Sequence, residues 1–250
     1  MTDDAIPAAT LVVWRDAAPG SAGPEILMVE RSAGMAFAAG AIVFPGGRID
    51  AADRNLADLL GRPDDAGKIT AIRETIEESA VATGLSEIPD PATGAALQLA
   101  LNSGTGLAQM LADNKLSLDL DRLTPFARWM PGFKHTRKFD TIFYLVRAPE
   151  GAWAPIPQPG ECVSAEWASP AEFLARIDRG EASAIFPTKR NLERLAGHAN
   201  FEAAVADACR HSLETIIPWI ENIDGEPHVC IPEDRGYPVT SERLTTAVRA

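Results

Sequence analysis

A chain of 250 residues with 46% apolar residues can bury one sizeable core, with room for an appended helical part. Its 23 Lys+Arg against 35 Asp+Glu give a formal charge of −12, which argues against polymeric nucleic acid, because such binding relies on Lys and Arg neutralising phosphates. Cys162, Cys209 and Cys230 are odd in number, widely spaced and without a C-x-x-C pair, which argues against a disulfide framework or a zinc site.

Residues 10–15 and 25–30 read as strands joined by a Gly/Pro-rich loop at 19–24, and residues 41–44 as a third strand. Residues 48–64 read as an irregular insert with one helical turn around 56–60. A helix is expected from Asp65, an N-cap, to Gly84, a C′ residue. Residues 85–95 read as loop, and 96–102 and 106–115 as helices inserted within the domain. Further on, 141–147 and 163–167 read as strands, 170–179 as a helix, and 188–195 as a helix capped by Thr188. Residues 202–220 suggest a C-terminal helix reaching Pro218. The expected organisation is one domain over 1–250, with a helical insertion at 85–122 and a C-terminal helical extension at 198–250.

The acidic run Arg73-Glu74-Thr75-Ile76-Glu77-Glu78 lies in the helix expected after Asp65. At helical spacing Glu74, Glu77 and Glu78 share one side, expected to be exposed, and Ile69, Ile72 and Ile76 share the opposite, buried one. Like charges at this spacing cost a few tenths of a kcal/mol per pair, roughly, unless a cation sits among them. Mg²⁺ or Mn²⁺ suits such a cluster, since hard cations prefer oxygen ligands. A solvated acidic helix face is the plain alternative. Against it stands Phe44-Pro45-Gly46-Gly47, a turn ending an apolar segment, where glycine permits close backbone approach and the Gly46 carbonyl can complete a coordination shell. Arg128, Arg137 and Lys138 are candidate phosphate clamps. His135 is a lone histidine read as non-catalytic, and Trp129 and Trp167 are read as core.

These residues resemble the signature of the Nudix hydrolase family, G-x5-E-x7-R-E-U-x-E-E-x-G-U, with U apolar. Gly47, Arg73, Glu74, Glu77, Glu78 and Val81 match it, and Asp53 stands where the family has glutamate. Thr75 replaces the apolar residue after R-E, Ala80 replaces the late glycine, and residues 54–72 number 19 where the family usually has seven. An interrupted signature marks a subgroup that resembles the peroxisomal coenzyme A diphosphatases of animals. Arg31-Ser32, Gly40 and Phe44-Pro45-Gly46-Gly47 are similar to that subgroup's L-L-T-x-R-S-x3-R-x3-G-x3-F-P-G-G motif, with Ala36 in place of its second arginine. The segment Pro125-Phe126-Ala127-Arg128-Trp129 and the segment Arg137-Lys138-Phe139-Asp140-Thr141 are similar to further subgroup segments.

The resemblance implies an α/β fold, the Nudix α/β/α sandwich with a mixed sheet and an inserted helical segment. It implies metal-dependent hydrolysis of a nucleoside diphosphate linked to another moiety, coenzyme A or an acyl-coenzyme A first. ADP-ribose or NADH is the alternative substrate, and a non-catalytic nucleotide-sensing module or an acidic protein-interaction domain an alternative function. The implied metal set is Glu74, Glu77, Glu78 and Gly46, holding Mg²⁺ or Mn²⁺. The implied catalytic set is Glu161, Glu77 and Arg73, the last as an orienting partner of Asp53. Arg31, Arg128, Arg137 and Lys138 would bind substrate. Glu161 is preferred to Glu166 as the extra carboxylate because it ends a Pro/Gly-rich loop, six residues before Trp167, where the subgroup resemblance also has a glutamate. The expected partner is a small molecule, with no nucleic acid polymer, no membrane, and a homodimer as the assembly to consider. Without a secretory apolar stretch or a peroxisomal C-terminal address, the expected location is cytoplasmic.

Overall fold

Strand β1 (Ala5–Arg15) is the spine of a seven-stranded mixed sheet. The computed structural model describes residues 5–17, 23–35, 38–132 and 138–247. Ala36, His135 and Arg137, most of the 19–24 loop and both chain ends lie outside them. Along β1, Ala9, Leu11 and Val13 point into one core, and Val12 and Trp14 into a second. A strand covered on both faces reads as a continuous apolar run, as this one does.

Strand β2 (Glu25–Arg31) pairs antiparallel with the C-terminal end of β1, and β3 (Ile42–Val43) lies beside β2. Strand β4 (Gly46–Arg48) pairs antiparallel with the N-terminal half of β1. Strand β5 (Thr124–Trp129) pairs with β6 (Lys138–Arg147), which runs parallel to β1 along ten register positions. Strand β7 (Cys162–Ala168) closes the far edge beside β2. On one face pack α1 (Ala51–Leu59), α2 (Ala66–Ser79), α3 (Pro91–Asn102) and α4 (Leu107–Asp113). On the other pack α5 (Pro170–Asp178), α6 (Phe186–Ala196) and α7 (Phe201–Ala208). This is the expected α/β/α sandwich with a mixed sheet. Among the described residues no helix is long and apolar enough to cross a membrane.

Several local readings are corrected. Residues 48–64 are not irregular: α1 runs for nine residues, anchored by Asp53, which accepts the Asp50 backbone N–H at 3.1 Å. Its apolar stripe is weak because a buried carboxylate and Ala57 hold it down. Helix α2 stops at Ser79, not Gly84, because Ala80 itself takes the left-handed conformation (φ 60°) that usually calls for glycine. Helix α3 begins five residues before its expected start, where Asp90 caps it by accepting the Thr93 N–H at 2.9 Å.

The C-terminal extension expected to be helical is helical in α7 (Phe201–Ala208) and at its end, and carries a three-stranded sheet between. After α7 come β8 (Trp219–Ile223), β9 (Glu226–Cys230) and β10 (Ser241–Arg243), then the short α8 (Leu244–Ala247). Asp224 and Gly225, both at positive φ, form the two-residue turn that Asp-Gly favours between strands. This tail is tied to the main sheet through buried polar contacts. Trp129 Nε1 donates to Tyr237 Oη at 2.9 Å, and Tyr237 donates to Asn191 Oδ1 on α6 at 2.7 Å.

Strand β4 is thin for a steric reason. A methyl group at Gly46 would lie 2.5 Å from the Ala9 carbonyl oxygen and 2.5 Å from Thr10 Oγ1. Gly46→Ala should therefore cost about 1–3 kcal/mol of stability, at about 2–4 °C of Tm per kcal/mol for a chain of this size. Gly34→Ala, where a methyl meets nothing within 4 Å, is the control. Equal melting temperatures for the two variants would show that β4 is not packed this tightly.

Candidate active site

Ile69, Ile72 and Ile76 fill the core beneath α2, as its periodicity requires. The opposite stripe carries Arg73, Glu74, Glu77 and Glu78, but it is not exposed as expected. Glu78 is 2% accessible and the Glu74 and Glu77 side chains 16% and 19%. Two features cover it. Strand β4 lies across Glu74 and Glu78, and the 155–160 loop docks on the end of α2, where Ile156 N–H donates to Ser79 O at 2.8 Å. Thr75, at the family's apolar position, is fully buried and satisfied by donating to the Ala71 carbonyl at 2.7 Å.

Arg73 organises the carboxylates. Its Nε and Nη2 grip Asp53 Oδ1 and Oδ2 at 3.0 and 2.9 Å, and its Nη1 bridges Glu74 Oε1 at 2.8 Å and Glu77 Oε2 at 3.0 Å. Asp53 is 1% accessible and also accepts the Thr70 hydroxyl at 2.8 Å. Glu74 lies against Gly47, where a methyl would fall 2.3 Å from its Oε1. Glu78 Oε2 accepts the Gly46 N–H at 3.1 Å, and its Oε1 stands 3.5 Å from Arg31 Nη1.

This neighbourhood holds more negative charge than its two guanidinium groups balance. Burial, against the pull of Arg73, pushes the Glu74 carboxyl up to about 7. Burial and then the charge of Glu74 push Glu78 up to about 8. Burial also raises Glu77. Among the described residues, no group of three His, Cys, Asp or Glu side chains is spaced to hold a metal ion as it stands. The physical reason is visible: Glu74 and Glu77 are turned onto Arg73, and Glu78 onto Gly46 and Arg31. The donor set nevertheless suits a hard divalent cation, because three largely buried carboxylates within two turns lack sufficient positive charge.

Beside the carboxylates lies a cleft of about 270 Å³, walled by Ala8, Thr10, Phe44, Trp129, Phe139 and Phe143, with Ile185 from the start of α6 at its rim. Strand β4 separates the two spaces. In the pleat, Gly47 faces Glu74, while Gly46 and Arg48 face the cleft with their register partners Thr10 and Ala8. A second hollow, lined by Ile6, Arg48, Asp50, Glu74 and Phe139, shares Arg48 and Phe139 with the cleft and reaches Glu74.

Of the residues expected at the site, Arg31 lines the cleft and touches Glu78. Arg128 does not line it. It sits on the opposite face of the sheet, closed onto Asp140 by hydrogen bonds of 2.8 and 2.6 Å. Lys138 opens β6 two residues before Asp140, on that same face. Glu161 is exposed at the loop end, and its charge raises Glu77 and Glu78. Glu166 is bound to Arg176 at 2.8 Å. Arg48 was not singled out from sequence, although its place directly after the double glycine is a signal.

No family model matches the chain. The human acyl-coenzyme A diphosphatase NUDT19 is 26% identical over 288 aligned residues, covering 90% of this chain and 76% of that protein. A crystal structure of a Nudix hydrolase from Alicyclobacillus acidocaldarius matches with a TM-score of 0.70 and 29% identity, covering 82% of this chain and 97% of that one. The chain shares the Nudix hydrolase fold with these proteins. It is a hydrolase of that type, and its departures from the signature are explained by its geometry. It accommodates the 12 extra residues in α1 and a turn at Pro63–Asp65, and Asp53 still docks on Arg73.

The raised carboxylates give stability a pH dependence. In the metal-free protein, Glu74 and Glu78 keep protons up to about 7 and 8, whereas the unfolded chain releases them near 4.5. The folded state thus binds more protons across this window, and stability falls as pH rises through it. Per group the slope is about 1.4 kcal/mol per pH unit at most. Tm in EDTA should fall between about pH 5.5 and 8.5, and Glu78→Gln should flatten that slope. Identical slopes for the variant and the parent would rule Glu78 out as its source.

Proposed function

We propose that this enzyme hydrolyses a diphosphate that links a nucleoside to a second moiety, with a divalent metal ion, and that coenzyme A or an acyl-coenzyme A is its substrate. The observation that carries the reading is the under-compensated Glu74/Glu77/Glu78 cluster at the Gly46–Gly47 edge of an open cleft. The 26% identity to an acyl-coenzyme A diphosphatase supports the substrate class.

In this reading Glu74, Glu77 and Glu78, with the Gly46 carbonyl, hold Mg²⁺ or Mn²⁺. When bound, the metal neutralises the diphosphate, polarises phosphorus and lowers the pKa of the attacking water. Arg73, fixed by Asp53, positions Glu74 and Glu77. Glu161 accepts the water proton as the water oxygen bonds to phosphorus and the bridging P–O bond breaks. Arg31 meets the anionic substrate from the cleft side. With coenzyme A the products are 3′,5′-ADP and a phosphopantetheine. Ala36 at the motif's second arginine position favours a second reading in which ADP-ribose or NADH is the substrate.

Incubation of the purified protein with coenzyme A, an acyl-coenzyme A, ADP-ribose and NADH, followed by product identification, tests the substrate. A tenfold advantage of ADP-ribose or NADH in kcat/KM, roughly a 1.4 kcal/mol preference, would overturn the coenzyme A assignment and leave the chemistry standing. Glu74→Gln and Glu78→Gln should each keep the fold, because a neutral amide mimics the protonated carboxyl. Each should retain less than about a tenth of kcat at saturating Mg²⁺.

Glu161→Gln is expected to lose about 10²–10⁴-fold in kcat, whereas Glu166→Gln, whose carboxylate is engaged by Arg176, should stay near the parent. Near-normal turnover by Glu161→Gln would end its assignment as the base.

A further inference from the structure

The cleft has one property that the hydrolytic reading does not use: its charges are confined to one side. Among its described lining residues only Arg31 and Arg48 are charged, both cationic and both beside the Gly46–Gly47 edge. The remaining wall is aliphatic and aromatic, and its neutral polar side chains are three hydroxyls, Thr10, Thr141 and Thr188. Arg31 is engaged by Glu78, and one of its buried nitrogens, Nε, has no partner. Arg48 is 65% accessible and meets the carboxylate of its near neighbour Asp50 at 2.9 Å. Arg48 also lines the hollow that contains Glu74, so a single guanidinium borders both the cleft and the carboxylates.

We infer that the cleft takes the uncharged arm of the substrate, the pantetheine chain and its acyl thioester, while Arg48 binds the phosphoryl group from which that arm extends. This rests on the coenzyme A reading above. The choice between the two halves of the substrate follows from charge. The nucleoside half carries a further phosphate, and the described residues of the cleft's aromatic depth include no cation to meet it. Burying an unpaired phosphate there would be strongly unfavourable. The uncharged arm offers amides for the threonine hydroxyls and an apolar end for Phe44, Phe143 and Ile185. Specificity for the acyl group is thus set by the cleft wall, and Arg48 acts on every substrate alike.

The test compares kcat/KM for coenzyme A, acetyl-, hexanoyl- and decanoyl-coenzyme A, with ADP-ribose and NADH alongside, on the full chain in Mg²⁺. Each methylene that enters the cleft should raise kcat/KM by up to about fourfold. The hexanoyl-to-free coenzyme A ratio should therefore reach about ten or more in the parent. Ile185→Trp, which fills the rim, should collapse that ratio towards unity. If the tryptophan variant does not fold, Ile185→Ala widens the same wall and should raise the decanoyl-to-hexanoyl ratio. Arg48→Gln should raise KM about tenfold for all cleaved substrates, the loss of a charge-assisted hydrogen bond. Equal kcat/KM along the acyl series, or ratios indifferent to residue 185, would overturn the cleft assignment alone. An unchanged KM in Arg48→Gln would remove Arg48 from it. Cleavage of ADP-ribose or NADH without any coenzyme A species, or of no diphosphate at all, would overturn both this inference and the reading on which it rests.

Discussion

The bidentate pair between Asp53 and Arg73 is the constraint on which the rest of the site depends. Asp53 is buried and accepts from the Arg73 guanidinium, the Thr70 hydroxyl and the Asp50 backbone, so its charge is fully satisfied. That leaves Arg73 one nitrogen, Nη1, for Glu74 and Glu77 together. A free arginine would neutralise the acidic cluster; an arginine already bound by Asp53 half-neutralises it. The cluster stays folded and still lacks positive charge, as the proposed metal-binding role requires.

The double glycine makes the second contribution. A three-residue strand without side chains at two positions lets carboxylates on the helix side and a cleft on the other approach across a single layer of backbone. Any larger residue at Gly47 would displace Glu74, and any at Gly46 would displace β1 itself. The sheet is therefore at once the scaffold and the partition of the site, and its thinness at this point brings chemistry and recognition within reach of each other.

Much of this was legible in the sequence because it is local. The isoleucine stripe of α2, the Pro-Gly-Gly turn and the ordering of strands before helices follow from periodicity and turn chemistry, and the signature resemblance added the Asp53–Arg73 pairing. What escaped was long-range or unconventional. Carboxylates at helical spacing look solvent-exposed until β4 and the 155–160 loop are laid over them. Arg128 looks available until Asp140, two strand positions away across the sheet, is seen to hold it. Ala80 ended a helix in a conformation that sequence assigns to glycine, so the boundary slipped towards Gly84. The tail is expected to be helical, although Asp224-Gly225 is a pair that favours a hairpin turn.

That tail has a wider meaning through the Trp129–Tyr237–Asn191 hydrogen bonds. Trp129 forms a wall of the cleft, and what fixes its indole is a tyrosine contributed from near the end of the chain. The sandwich alone defines the chemistry, but the mould into which a substrate fits is set from behind by a segment outside the sandwich. Relatives that share the carboxylates and differ in this buttress would keep the reaction and change their clientele, so substrate range can drift in such enzymes without a single substitution in the acidic helix.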